Sequence, residues 1–247
     1  MTATVTRIWR YPIKSHGREP LASVLLSEGL PLPFDRLWAV AHDATDVDGS
    51  EWASCRNFTR VAGSPKLAAI TARMIDDRSL TLSHPERPNL TFAPDTEAAA
   101  LLDWLRGFVP ENRPQPARLL RAGGRQFLDS SKGDITLCNM ASHRAIETSL
   151  GVALDIARWR GNLWIDGAAP WAEFDWIGKR IRIGQAVLEI LGRTERCLAT
   201  HANPATGERD ADILATLDRF GHRDFSVKAR VTRGGPVHLN DPVEVLR

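Results

Sequence analysis

Short apolar runs, cut by Pro, Gly, Asp and Asn, dominate the chain. Residues 5–11 mix β-branched and aromatic side chains and predict a first strand stopped at Pro12, and residues 21–27 predict a second. In 34–41, Arg36, Trp38 and Val40 alternate with Leu37, Ala39 and Ala41. Both faces are largely apolar, which predicts a central strand with Arg36 near its start. Residues 67–75, 79–82 and 90–92 predict further strands. At 96–109 the period changes: Ala99, Leu102, Leu105 and Phe108 share one helical face. Prolines across 110–116 end that helix and divide the chain in two.

The second half predicts a strand at 117–121, a polar loop at 127–134 and a strand at 135–138. A helix follows at 141–150, with His143 on its exposed side. Residues 178–183 and 186–191 predict a hairpin across Gly184-Gln185, 208–220 a short amphipathic helix, and 225–231 and 242–246 the closing strands. Many short strands with a few peripheral helices imply a β-rich mixed α+β, barrel-like architecture. The expected division is 1–110, a β-barrel-like unit, and 111–247, with strands shared between the two.

Composition narrows the partners. Among 247 residues, 43% hydrophobic and 25% charged, Lys and Arg exceed Asp and Glu by two, with the signs interspersed. Nucleic acid as the main partner would ask for a clustered basic face, so it is not expected. Cys55, Cys138 and Cys197 are odd in number and form no C-x-x-C pair, which argues against a disulfide framework and for a reducing compartment. The first residues lack a secretory pattern and no apolar run reaches about 18 residues, so a cytoplasmic location without membrane contact is expected.

Candidate chemistry centres on Arg193-Thr194-Glu195-Arg196-Cys197, which leaves an apolar strand and closes at Asn203-Pro204-Ala205-Thr206-Gly207. Guanidinium groups at Arg193 and Arg196 would favour thiolate, the form that attacks or ligates. A buried cysteine acting as a small hydrophobe is the simpler alternative. Cations and polar groups recur at other strand ends: Lys14 with Ser15, Arg36, and Arg160 with Asn162. By residue type alone, Lys14 could be a solvated loop lysine and Arg36 one member of an ion pair with Asp35. If these ends converge, they make a pocket of positive charge with one soft sulfur, suited to a phosphorylated, metal-bearing cofactor.

Tyr11-Pro12-Ile13-Lys14-Ser15, Asp35-Arg36-Leu37-Trp38, Arg160-Gly161-Asn162 and Arg196-Cys197, followed by Asn203 to Gly207 and by Asp241-Pro242-Val243, occur in one order. In that order the chain resembles MOSC proteins that carry an N-terminal β-barrel domain, including bacterial relatives of the mitochondrial amidoxime reducing component and of the hydroxylaminopurine-resistance reductase. The resemblance spans essentially the whole chain. It implies a molybdenum cofactor, metal held by a molybdopterin dithiolene, with Cys197 as the protein ligand to metal. It also implies that Lys14, Ser15 and Arg36 bind around the pterin phosphate, with Arg160, Asn162 and Arg196 as further contacts. The implied reaction is reduction of N-hydroxylated small molecules, the protein supplying position and electrostatics.

Two departures accompany the resemblance. Lys228 stands where animal relatives carry a tyrosine near the metal, and no four-cysteine set for an iron–sulfur cluster exists here. Electrons are therefore expected from separate proteins. Alternatives are a non-catalytic cofactor carrier or sulfur-transfer protein using Cys197, and zinc on Cys197 and His201 with Cys55, Cys138 or His222. No G-x-S-x-G turn supports a hydrolase.

Overall fold

The computed structural model describes residues 3–130, 133 and 135–246. The predicted loop 127–134 therefore lies partly outside the described residues. In chain order come β1 (Thr4–Arg10), β2 (Glu19–Leu21), β3 (Ser23–Leu26), β4 (Trp38–His42), β5 (Thr71–Met74), β6 (Leu80–His84), β7 (Arg87–Phe92), α1 (Ala98–Trp104) and β8 (Pro116–Arg121). The second half adds β9 (Ile135–Asn139), α2 (Met140–Leu150), β10 (Leu163–Asp166), β11 (Arg180–Ile183), β12 (Ala186–Glu195), α3 (Ile213–Asp218), β13 (Asp224–Arg233), β14 (Gly235–His238) and β15 (Val243–Val245).

The main sheet runs β15-β11-β12-β13-β9-β10-β1-β2. Its pairs are antiparallel except β9 with β10. It curls until its far end meets its beginning: the Val5 N–H donates to the Asp241 carbonyl at 3.0 Å, and the Val243 N–H to the Ala3 carbonyl at 2.8 Å. Such closure pairs backbone groups that an open edge would leave bare. The interior is apolar and draws Val5, Ile8, Val24 and Leu26 from the chain's start alongside Leu137, Leu163, Leu188 and Val227 from its later part.

A second core lies under β4, the β5-β6-β7 sheet and α1, where Trp38, Val40, Leu67, Leu80, Phe92 and Leu101 pack together. Ala202, from the loop after Cys197, enters this core. β8 lies beyond the prolines yet pairs with β4, Trp38 opposite Arg121. Both units are thus stitched together by chain from either half.

Several elements differ from the sequence expectation. Arg36 is not in β4; both Phe34 and Arg36 take left-handed backbone, φ 61° and 52°, which ends extended structure before Leu37. Residues 67–75 divide into a 3-10 turn, Pro65–Ala69, and β5. The helix expected at 96–109 stops at Trp104, but Leu105, Phe108 and Val109 stay buried in the turns that follow, so the apolar pattern was core rather than helix. The 208–220 helix is confined to α3, begun by Asp212, whose side chain accepts from the Ala215 N–H. His143 is buried, not exposed: it accepts a hydrogen bond from the Trp159 indole at 3.0 Å and donates to the Leu154 carbonyl at 3.1 Å. Among the described residues no helix is long and apolar enough to cross a membrane.

Candidate functional site

Backbone pairing brings the first two cations together. The Arg36 N–H donates to the Tyr11 carbonyl at 2.7 Å and the Lys14 N–H to the Trp38 carbonyl at 2.7 Å, laying 11–14 beside 36–38. Lys14 is buried, not solvated, and donates to the Phe127 carbonyl at 2.8 Å and to Asp129. Asp35, fully buried, accepts from the Tyr11 N–H at 2.8 Å and pairs with Arg36. The ion pair with Asp35 exists, and Arg36 also reaches the other unit, donating to the Arg160 carbonyl at 2.7 Å. Burial opposes the Arg36 charge most strongly, but Asp35, Tyr11 and Asp129 together outweigh it and the guanidinium pKa rises.

Arg160 follows a 3-10 turn, Ile156–Trp159, and is itself left-handed at φ 50°. The rings and guanidiniums then stack: Arg36 and Arg160 each lie 4.5 Å from the Tyr11 ring centroid. Aromatic faces attract cations, so one tyrosine holds both arginines at a fixed place. Burial first, and repulsion by Arg36 second, push the Arg160 pKa down to about 10. Among the described residues its Nη2 is buried without a hydrogen-bond partner. A buried guanidinium with an idle donor is costly unless a ligand takes the bond.

Asn162 joins strands. Its Oδ1 accepts from the Thr136 N–H at 3.1 Å and its Nδ2 donates to the Trp9 carbonyl at 3.2 Å. Arg196 donates to the Phe225 and Trp159 carbonyls at 3.0 and 2.9 Å and to the Ser226 hydroxyl at 2.7 Å. Each of its three nitrogens donates to protein, so Arg196 fixes the strand end that delivers Cys197. Arg193 does not accompany the thiol, contrary to expectation; it stacks 4.3 Å from the Phe174 ring. Cys197 is exposed, which rules out the simple buried-hydrophobe alternative. The turn behind it, Leu198–His201, is tied down by Arg158, which donates to the His201 carbonyl at 3.1 Å and grips Asp210 at 2.6 and 2.8 Å.

Lys14, Ser15, Arg36, Arg160, Asn162, Arg196 and Cys197 all line one cavity of about 380 Å³. Ser15 and Ser226 join Arg36 and Arg160 in left-handed backbone, φ 65° and 74°. Non-glycine residues in that region store strain that the surroundings must hold, a recurrent property of functional sites. Cys55, Arg60 and Lys228 also line the cavity. Cys55 and Arg60 carry no sequence signal, because their segment reaches the cavity only through tertiary folding; the Arg60 guanidinium donates to the Cys55 sulfur at 3.4 Å. His201 Nε2 accepts from the Leu214 N–H at 3.3 Å, and among the described residues no three His, Cys, Asp or Glu side chains converge. Cys138 is sealed in apolar packing, its thiol pushed up to about 12 by burial.

A curled β-rich sheet with this strand-end cavity defines a class, and comparison of the sequence with family models identifies it. Residues 2–104 match the MOSC N-terminal beta barrel domain and 125–244 the MOSC domain. The chain belongs to the MOSC family and carries both domains. Among curated proteins it is 24% identical over 246 residues, 94% of this chain and 33% of the relative, to a molybdenum cofactor sulfurase of Caenorhabditis briggsae. A molybdenum cofactor sulfurase of Drosophila grimshawi is 32% identical over 145 residues, 53% of this chain and 19% of that protein. The chain thus spans a third or less of these relatives. Of solved structures, the YuaD protein of Bacillus subtilis aligns over 99% of this chain and 96% of its own at 14% identity and a TM-score of 0.48.

Proposed function

We propose that the chain binds a molybdenum cofactor in the cavity and reduces N-hydroxylated small molecules, hydroxylamines and amidoximes, with electrons from separate proteins. One observation carries the reading: an exposed thiol, Cys197, opens on the same cavity as a buried arginine with an idle donor, Arg160. Arg160, with Lys14, Ser15 and Arg36, suits a phosphate, which accepts paired N–H donors. Cys197 suits the metal, since a thiolate is a soft ligand. When bound, the group supplies the two-electron chemistry that removes oxygen from nitrogen.

The chain's own residues bind and orient the group. Arg36 and Arg160, stacked on Tyr11, hold the anionic end, and Asn162 keeps β9 and β10 at the spacing the cavity requires. Arg196 and Arg158 immobilise the two sides of Cys197. A donor set fixed before the ligand arrives lowers the ordering cost of binding.

The name of the matched relatives favours one further reading, a carrier or sulfur-transfer protein that uses Cys197 without turnover. Metal analysis and turnover separate the two. Native protein should contain molybdenum and Cys197→Ala should lose it; equal metal in both removes the coordination. Metal-replete protein that fails to reduce hydroxylamines with an artificial electron donor favours the carrier.

A further inference from the structure

Among the described residues, seven of the cavity's lining side chains are Lys or Arg and two are acids, Asp129 and Glu195. Three of these charges are matched by acids: Lys14 pairs with Asp129, Arg36 with Asp35 and Arg158 with Asp210. Each nitrogen of Arg196 donates to a carbonyl or a hydroxyl of the protein. Arg160 is the deep cation that the proposed function assigns to the cofactor phosphate. Two cations are left over, Arg60 and Lys228.

Among the described residues neither is paired with an acid. The Arg60 guanidinium donates to the Cys55 sulfur at 3.4 Å. Lys228 lies on β13 opposite Thr136 and Gly192, and its stem packs where a side chain at Gly133 would otherwise stand: a Cβ there would come within 2.9 Å of the Lys228 Cβ. Glycine thus leaves room for the lysine beside the cavity. Both residues are half-buried. They come from the two different units, Arg60 from the segment between β4 and β5 and Lys228 from the main sheet. The cavity's cations outnumber its acids, and an excess of one sign of charge between low-dielectric walls concentrates ligands of the other sign.

Resting on the proposed reductase reading, we infer that the substrate class is anionic: an N-hydroxylated compound that also carries a carboxylate or phosphate, recognised by Lys228 and Arg60. The cationic pair selects; it takes no part in breaking the N–O bond.

The test compares benzamidoxime with its 4-carboxylate and with a phosphate-bearing analogue, on cofactor-loaded protein. Calorimetry measures binding of each, and KM is read alongside kcat. Binding of at least one anionic compound should be about tenfold tighter than that of the neutral one, and the advantage should shrink as salt is raised. It should collapse in the Lys228→Gln, Arg60→Gln double variant and return in Lys228→Arg, Arg60→Lys. The carboxylate and phosphate arms show which group is preferred. Equal binding of all three compounds by the native protein, or an advantage that survives the double glutamine variant with an unchanged melting temperature, overturns the inference. Failure of the reductase reading is seen separately, as turnover of none of the three by protein whose molybdenum content has been measured.

Discussion

Gly161 faces the sulfur of Cys138: a Cβ built on the glycine would fall well within 3.0 Å of Sγ. Glycine in Arg160-Gly161-Asn162 is thus needed for close approach, since its φ is not in the left-handed region. The contact is the point where β9, carrying Cys138, supports the turn that presents Arg160. Gly161→Ala is expected to destabilise by about 1–3 kcal/mol, the usual range for overpacking. Cys138→Ala would cost something alone by leaving a void, but combined with Gly161→Ala it should restore part of the loss. Urea denaturation of the two single variants and the double checks this, and strictly additive losses would show that the two groups do not collide.

Tyr11 gives a second prediction. Arg36 and Arg160 each lie 4.5 Å from its ring centroid, and its hydroxyl donates to the Gly161 carbonyl at 3.2 Å. Tyr11→Phe keeps the ring and loses one hydrogen bond, for about 1 kcal/mol. Tyr11→Leu removes both cation–π contacts, each about 0.5–2 kcal/mol, and lets two like charges relax their spacing. The Phe variant should therefore retain cofactor and the Leu variant lose it, read as molybdenum per protein beside the denaturation midpoint. Equal metal content in both would leave the aromatic face without a part in binding.

How much of this was legible in the sequence depends on what kind of signal each feature carries. Strand ends bearing Lys14, Arg36, Arg160 and Cys197 stand out because polar groups interrupt apolar runs at turns, and the structure gathers them on one cavity. Arg36 was misplaced into a strand because alternation from Arg36 to Ala41 continues in the sequence, while the left-handed φ at Phe34 and Arg36 answers to tertiary hydrogen bonds that alternation does not encode. Helix 96–109 was overextended for a related reason: Leu105 and Phe108 are buried because the second core takes them, whatever their local conformation. His143 looked exposed because a polar residue on a helix is usually solvated; its two buried partners, Trp159 and Leu154, lie 16 and 11 residues away. Cys55 and Arg60 were invisible as site residues because no local pattern records which loop folds over a cavity.

The third prediction concerns pH. His16 is fully buried, and its Nδ1 lies 2.6 Å from the Lys14 carbonyl, which can only accept, so the ring proton is on Nδ1. Nε2 is then an acceptor with no partner among the described residues. Burial, reinforced by the Arg160 charge and only partly opposed by the bond to Lys14, lowers the pKa to about 4. In the unfolded chain the imidazole titrates near 6.5, so between about pH 6.5 and 4 the unfolded state binds the proton that the folded state refuses. Stability is therefore complete above about pH 6.5 and declines as the pH falls toward 4, by on the order of 3 kcal/mol for this group. His16→Asn, which keeps a donor but does not titrate, should flatten this part of the profile, although His143, lowered chiefly by burial, will leave some slope. Chemical denaturation at intervals from pH 7 to pH 4 measures both curves, and parallel curves for the native and His16→Asn proteins would mean that His16 is not the group being titrated.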